Sequence, residues 1–263
     1  MNIMAIVIAI AIVGIVGLLI SIFLSFSANK FKVDVDEKQE AILEALPGNN
    51  CGGCGYPGCS GLAEAIAQGK APVNGCPVGG KNVADVVAGI MGVEAGEVAR
   101  KVAFVKCSGN CEVATADFVY TGPKDCRMAS MVPGKGYKSC DYGCLGFGTC
   151  ASVCDSNAIV IVDGIAKVDA DKCIGCGKCA NNCPMHLIEL IPYDAKYRVA
   201  CSSQDIGKNV MKACKTGCVG CGLCAKNCEA EAVKVDNNLA KIDYDKCVGC
   251  GVCAEKCPKK VIM

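Results

Sequence analysis

Residues 3–26 carry no charge. As an α-helix rising ~1.5 Å per residue, a run of that length spans the ~30 Å hydrocarbon core of a bilayer with some tilt, so the pattern predicts one transmembrane anchor over residues 1–29. No Lys or Arg precedes the run, which argues against a cleaved secretory signal. Lys30 and Lys32 follow it, and the positive-inside rule then predicts a single-pass protein of the cell membrane with its body on the cytoplasmic side. After a charged linker, residues 36–46 read as a brief helix with acids in the first turn, stopped by Pro47-Gly48. Residues 60–68 and 83–90 read as helices closed by Gly69 and Gly92, residues 101–106 as a strand, and residues 125–132 as a short helix. Further on, residues 158–162 and 165–168 flank Asp163-Gly164, and residues 232–235 and 239–242 flank Asn237-Asn238. Both read as tight hairpins.

The hairpins occupy matching places in a repeat. Residues 140–183 align without a gap onto residues 214–257, and both copies end in C-x2-C-x2-C-x3-C-P. That run wraps a 4Fe-4S cluster. With 25 cysteines and one histidine in 263 residues, the chain is too long and too rich in such runs for a small disulfide scaffold. Thiolate-held clusters persist in reducing surroundings, which fits the cytoplasm of an anaerobe. A net charge of +1 and the lack of an arginine-rich stretch set nucleic acid aside. No Gly-rich nucleotide loop, paired catalytic carboxylates or nucleophile motif is present, so the chain is expected to carry electrons and to hold no catalytic residue.

The first cysteine group is Cys51-x2-Cys54-x4-Cys59-x16-Cys76. Four cysteines also suit zinc, so the spacing alone leaves two occupants open. In a two-cluster bacterial ferredoxin, three cysteines of one run and the last of the other hold each cluster. For the second repeat this assigns Cys218, Cys221, Cys224 and Cys257 to one cluster, and Cys228, Cys247, Cys250 and Cys253 to the other. In the first repeat Cys154, Cys173, Cys176 and Cys179 follow the same rule, but Phe147 stands where Cys221 would be. Cys140, four residues before Cys144, is expected to fill the gap, giving Cys140, Cys144, Cys150 and Cys183; a three-iron or absent cluster is the competing outcome. Five 4Fe-4S clusters use twenty cysteines. Val105-Lys-Cys107-Ser108 and Val199-Ala-Cys201-Ser202 are alike, so Cys107, Cys126, Cys201 and Cys214 leave room for a sixth, against the plainer reading of buried free thiols. Asp155 and Glu229, beside Cys154 and Cys228, should lower cluster potentials. The lysines near the runs, among them Lys138, Lys178, Lys246, Lys256, Lys259 and Lys260, read singly as solvated surface and together as steering for an acidic carrier.

The predicted architecture is α+β: an N-terminal transmembrane helix (1–29), a linker helix (30–48), a small 4Fe-4S domain (49–82), a connecting segment of underivable fold (83–139), and two tandem two-cluster ferredoxin-like units (140–200 and 201–263). The uncharged N-terminal run, the Cys51–Cys76 spacing, the segment Cys140-Asp-Tyr-Gly-Cys144-Leu-Gly-Phe-Gly-Thr-Cys150 and the ferredoxin runs together closely resemble the B component of the Rnf complex, in its longer clostridial form, over essentially the whole chain. The first motif is shared with corrinoid iron–sulfur proteins. The resemblance implies a subunit of an ion-translocating ferredoxin:NAD+ oxidoreductase. Such a component takes electrons from reduced ferredoxin and relays them to membrane and flavin subunits for NAD+ reduction coupled to Na+ or H+ transport. Reduced ferredoxin, the other Rnf subunits and the membrane are the expected partners. A membrane-tethered polyferredoxin serving another reductase is the alternative.

Overall fold

The computed structural model describes residues 3–30, 36–96 and 99–263. The N-terminal run forms helix α1 (Ile3–Lys30). Among the described residues, however, no helix is long and apolar enough to cross a membrane, and the expected transmembrane helix is corrected on that finding. The single-pass topology drawn from that anchor is left without its helix among the described residues.

Helices α2 (Glu37–Ala45), α3 (Gly58–Ala67) and α4 (Gly80–Met91) form a small helical body. Asp36 caps α2 by accepting the Lys38 N–H, and Gly92 ends α4 in the left-handed region, where glycine costs least. Ile42, Leu62, Ile66 and Val87 are fully buried between the three helices.

Strand β1 (Lys101–Val105) lies across from a strand that the sequence pattern did not reveal. It pairs antiparallel with β4 (Ile188–Pro192), with Lys101 opposite Pro192 and Val105 opposite Ile188. Between them come α5 (Cys126–Ala129), a 3-10 turn (Pro133–Lys135), α6 (Thr149–Ser152), the hairpin β2 (Ile159–Val162) and β3 (Ile165–Val168), and α7 (Lys178–Asn182). The connecting segment thus supplies an edge of the first repeat.

The second repeat follows the same plan with α8 (Gly207–Ala213), α9 (Leu223–Lys226), the hairpin β5 (Val233–Asp236) and β6 (Leu239–Ile242), and α10 (Val252–Glu255). In place of the long β1–β4 pair, Val199 bridges Ile262. Both hairpin turns hold two residues at positive φ: Asp163 and Gly164 at 50° and 75°, and Asn237 and Asn238 at 47° and 61°. This turn geometry matches the strand twist. The hairpins cover cores that contain thiols as well as aliphatics. Cys144, Cys150, Cys173 and Cys179 are buried with Val102, Ile165 and Ile191, and Cys218, Cys224, Cys253 and Cys257 with Val233 and Val261.

Candidate iron–sulfur sites

In all four runs a left-handed glycine turns the chain into a one-turn helix that carries the third cysteine position. Gly148 precedes α6 with Cys150, Gly177 precedes α7 with Cys179, Gly222 precedes α9 with Cys224 and Gly251 precedes α10 with Cys253.

Burial pushes Cys179 up to about 11, and the thiols of Cys173, Cys176 and Cys154 add to it. Burial likewise raises Cys253, with Cys247, Cys250 and Cys228 contributing. These are the two crossed sets expected from the runs, each gathered in one place. Cys218, Cys221, Cys224 and Cys257 line a common cavity. In the N-terminal body, burial is the main cause raising Cys76, with Cys59 and Cys51 adding, and Cys54 packs in the same core.

The first half of the first repeat departs from expectation. Cys144, Cys150 and Cys183 share a cavity with Cys126, and Cys140 is absent from its walls. The reason lies in the residue that replaces the missing ligand. Phe147 packs against Tyr120 and Tyr137, ring centroids 5.3 and 5.6 Å away, in an apolar cluster with Ala129 and Leu145. This cluster holds the 113–136 segment against the run. There Asp125 caps α5 and accepts the Thr149 hydroxyl at 3.0 Å, while Thr149 Oγ1 accepts the Cys126 N–H at 2.9 Å. A thiol distant in sequence is thereby brought to the place of the missing one. Its sequence signal is faint, because only an N-cap aspartate before a lone cysteine marks it.

Cys140 instead faces Cys107, Cys201 and Cys214 across a cavity where the two repeats meet. Burial pushes it up to about 12, and those three thiols add to the shift. Cys111 is exposed. Lys138 is also not where its sequence context suggested: it is 3% exposed and lines the same cavity.

Among the described residues, no three His, Cys, Asp or Glu side chains converge tightly enough to share a single metal ion. In a 4Fe-4S cube each thiolate binds a different iron, so its ligands stand further apart than those of one zinc ion. Backbone amides also aim at the sulfurs, as a thiolate-held cluster requires. The N–H groups of Gly79, Ala103 and Ala158 donate to Cys76, Cys173 and Cys154, each at 3.4 Å. Donor set, spacing and amides fit iron–sulfur clusters. Of the two carboxylates beside the runs, Asp155 is engaged by Lys178 on the surface.

Three family models match the chain: "Putative Fe-S cluster" over residues 46–78, "4Fe-4S binding domain" over residues 165–188 and "4Fe-4S dicluster domain" over residues 217–261. The chain is similar to the B component of the Na(+)-translocating ferredoxin:NAD(+) oxidoreductase complex of Acetobacterium woodii. The two are 48% identical over 92% of this chain and 73% of that protein. The B component of the proton-translocating ferredoxin:NAD(+) oxidoreductase complex of Clostridium ljungdahlii is 43% identical, over 88% of this chain and 82% of its own. The B component of an ion-translocating oxidoreductase complex of Methanosarcina acetivorans is 38% identical over 97% and 96%.

Proposed function

Because the chain belongs to the family of Rnf complex B components, we propose that it is the iron–sulfur electron relay of an ion-translocating ferredoxin:NAD+ oxidoreductase, working with the other Rnf subunits of a membrane-associated complex. Bound 4Fe-4S clusters supply one-electron transfer; the chain supplies ligands, burial and order. Five sites follow from the thiol groups: Cys51, Cys54, Cys59 and Cys76; Cys154, Cys173, Cys176 and Cys179; Cys126, Cys144, Cys150 and Cys183; Cys218, Cys221, Cys224 and Cys257; and Cys228, Cys247, Cys250 and Cys253. This set replaces Cys140 with Cys126.

The observation that carries the reading is that the thiol groups adjoin one another from the N-terminal body into the first repeat. The loop bearing Cys51 lies against Cys176, so closely that a Cβ on Gly53 would meet the Cys176 carbonyl oxygen at 2.5 Å. Within the first repeat Cys179 neighbours Cys150. At the other end of the chain, Cys221 and Cys250 are exposed. In this reading the N-terminal body and the second repeat are the two ends of one path that crosses the junction between the repeats. A complex reconstituted without this chain should lose ferredoxin-dependent NAD+ reduction and regain it when the chain is added back anaerobically. Full activity without the chain would defeat the relay reading.

Reduced ferredoxin delivers its electrons at the second repeat in this reading, because that repeat carries both the exposed Cys221 and Cys250 and the exposed Lys246, Lys256 and Lys260. An acidic carrier is steered by such charges over about a Debye length, ~8–10 Å at ordinary ionic strength. Reversing Lys256 and Lys260 to Glu should slow the second-order rate from reduced ferredoxin about tenfold or more at low salt and flatten its salt dependence. A rate and salt slope like those of the unaltered chain would move the docking place elsewhere.

A further inference from the structure

Five sites leave a break in the path, since the groups at Cys126 and at Cys218 belong to different repeats. We propose that Cys107, Cys140, Cys201 and Cys214 hold a sixth 4Fe-4S cluster at the junction of the two repeats, with the buried ammonium of Lys138 beside it.

The junction has local two-fold character, and each repeat contributes an equivalent pair of thiols. Cys140 and Cys214 head the two repeats. Cys107 and Cys201 each precede a serine, and the serines cross over: Ser108 Oγ donates to the Ala200 carbonyl at 3.2 Å, and Ser202 Oγ to the Lys106 carbonyl at 3.1 Å. The backbone repeats the relation, with the Cys144 N–H donating to Cys107 at 3.3 Å and the Cys218 N–H to Cys201 at 3.4 Å. Those amides belong to ligands of the neighbouring sites on either side, so the four thiols lie between the two repeats' own groups. The Thr115 N–H to Ala213 carbonyl and Lys215 N–H to Val113 carbonyl bonds, both 2.9 Å, hold the junction closed.

The cavity has the character of the other sites. Its walls beside the thiols are small and apolar, with Ala114, Ala200, Val210 and Ala213, as are those around Cys218 and Cys126. Lys138 adds an independent sign of an anion. Its Nζ donates to the carbonyls of Gly109 at 2.8 Å and Gly164 at 3.1 Å, yet among the described residues it pairs with no carboxylate. A buried cation without a counter-charge is costly. A cluster ligated by four thiolates supplies one, whereas four neutral thiols do not. Six sites use 24 of the 25 cysteines, and the one left over, Cys111, is exposed.

The full chain, purified anaerobically, tests this by iron and acid-labile sulfide analysis with redox titration followed by electron paramagnetic resonance. Cys201→Ser should lose about four irons and four sulfides per chain and one reducible signal, leaving the other signals in place, whereas Cys111→Ser should lose none. Iron equal to that of the unaltered chain in Cys201→Ser, or loss of zinc in place of iron, overturns the proposal while leaving the relay reading intact. Should Cys201→Ser lose all its iron through misfolding, Lys138→Gln decides, since it keeps every thiol. Because Lys138 also acts on Cys144, two midpoint potentials then shift downward with the iron retained if the proposal is right, and only that of the Cys144 site shifts if it is wrong.

Discussion

Cys126→Ser is expected to remove about four irons and four sulfides per chain and to cut ferredoxin-dependent NAD+ reduction by more than the ~10–100-fold typical of changes behind the ligands. The thiol is the fourth at its cavity, and that cavity lies on the path between the two ends of the relay. The decisive companion is Phe147→Cys in the Cys126→Ser background. Gly146 and Gly148 flank Phe147 at φ 72° and 81°, as Gly220 and Gly222 flank Cys221 at 67° and 74°. The backbone of the defective run therefore already has the ligand-bearing form, and a cysteine restored there should recover the lost iron. If Cys126→Ser keeps its full iron while Cys140→Ser loses the signal of the Cys144, Cys150 and Cys183 site, the sequence-based ligand was the right one.

Gly53→Ala is expected to leave iron content and midpoint potentials unchanged and still slow electron delivery to the N-terminal body about tenfold or more. The added Cβ would stand 2.5 Å from the Cys176 carbonyl oxygen and 3.2 Å from its carbon. Both are backbone atoms, which cannot swing aside as a side chain can, so the two loops must separate. Misplacement of ~1 Å at a reacting centre is enough for losses up to ~100-fold. Stopped-flow reduction of the full chain by ferredoxin, with the spectral change of the N-terminal site resolved, reads the effect. A rate equal to that of the unaltered chain would show that electrons leave the first repeat by another route.

The two changes act on different quantities, and that distinguishes them. Cys126→Ser alters what is bound, which analysis of iron detects without any turnover. Gly53→Ala alters only a separation, so static composition stays the same while kinetics change. Loss of iron in Gly53→Ala would mean that its loop fails to fold, and the separation argument would then need a milder change at the same contact.

Local spacing by itself determined much of this protein. The C-x2-C-x2-C-x3-C-P runs, the left-handed glycines before each third cysteine and the Asp163-Gly164 and Asn237-Asn238 turns are all interactions within about ten residues, and a run of residue types is enough to specify them. The helices after Asp36, at α3 and at α4 were legible for the same reason, since caps and stops are local.

What tertiary structure decided are the pairings across long separations. Strand β4 went unread because its partner β1 lies more than eighty residues earlier, at Lys101–Val105. Cys126 reaches Cys144, and Cys140 reaches Cys201 and Cys214, only because Phe147 is walled in by Tyr120 and Tyr137 and because the serines after Cys107 and Cys201 lock two repeats together. Spacing along a chain sets which thiols can share a loop. Which thiols share a cavity depends on how separately formed loops pack, and that information resides in surfaces that no single stretch of sequence contains.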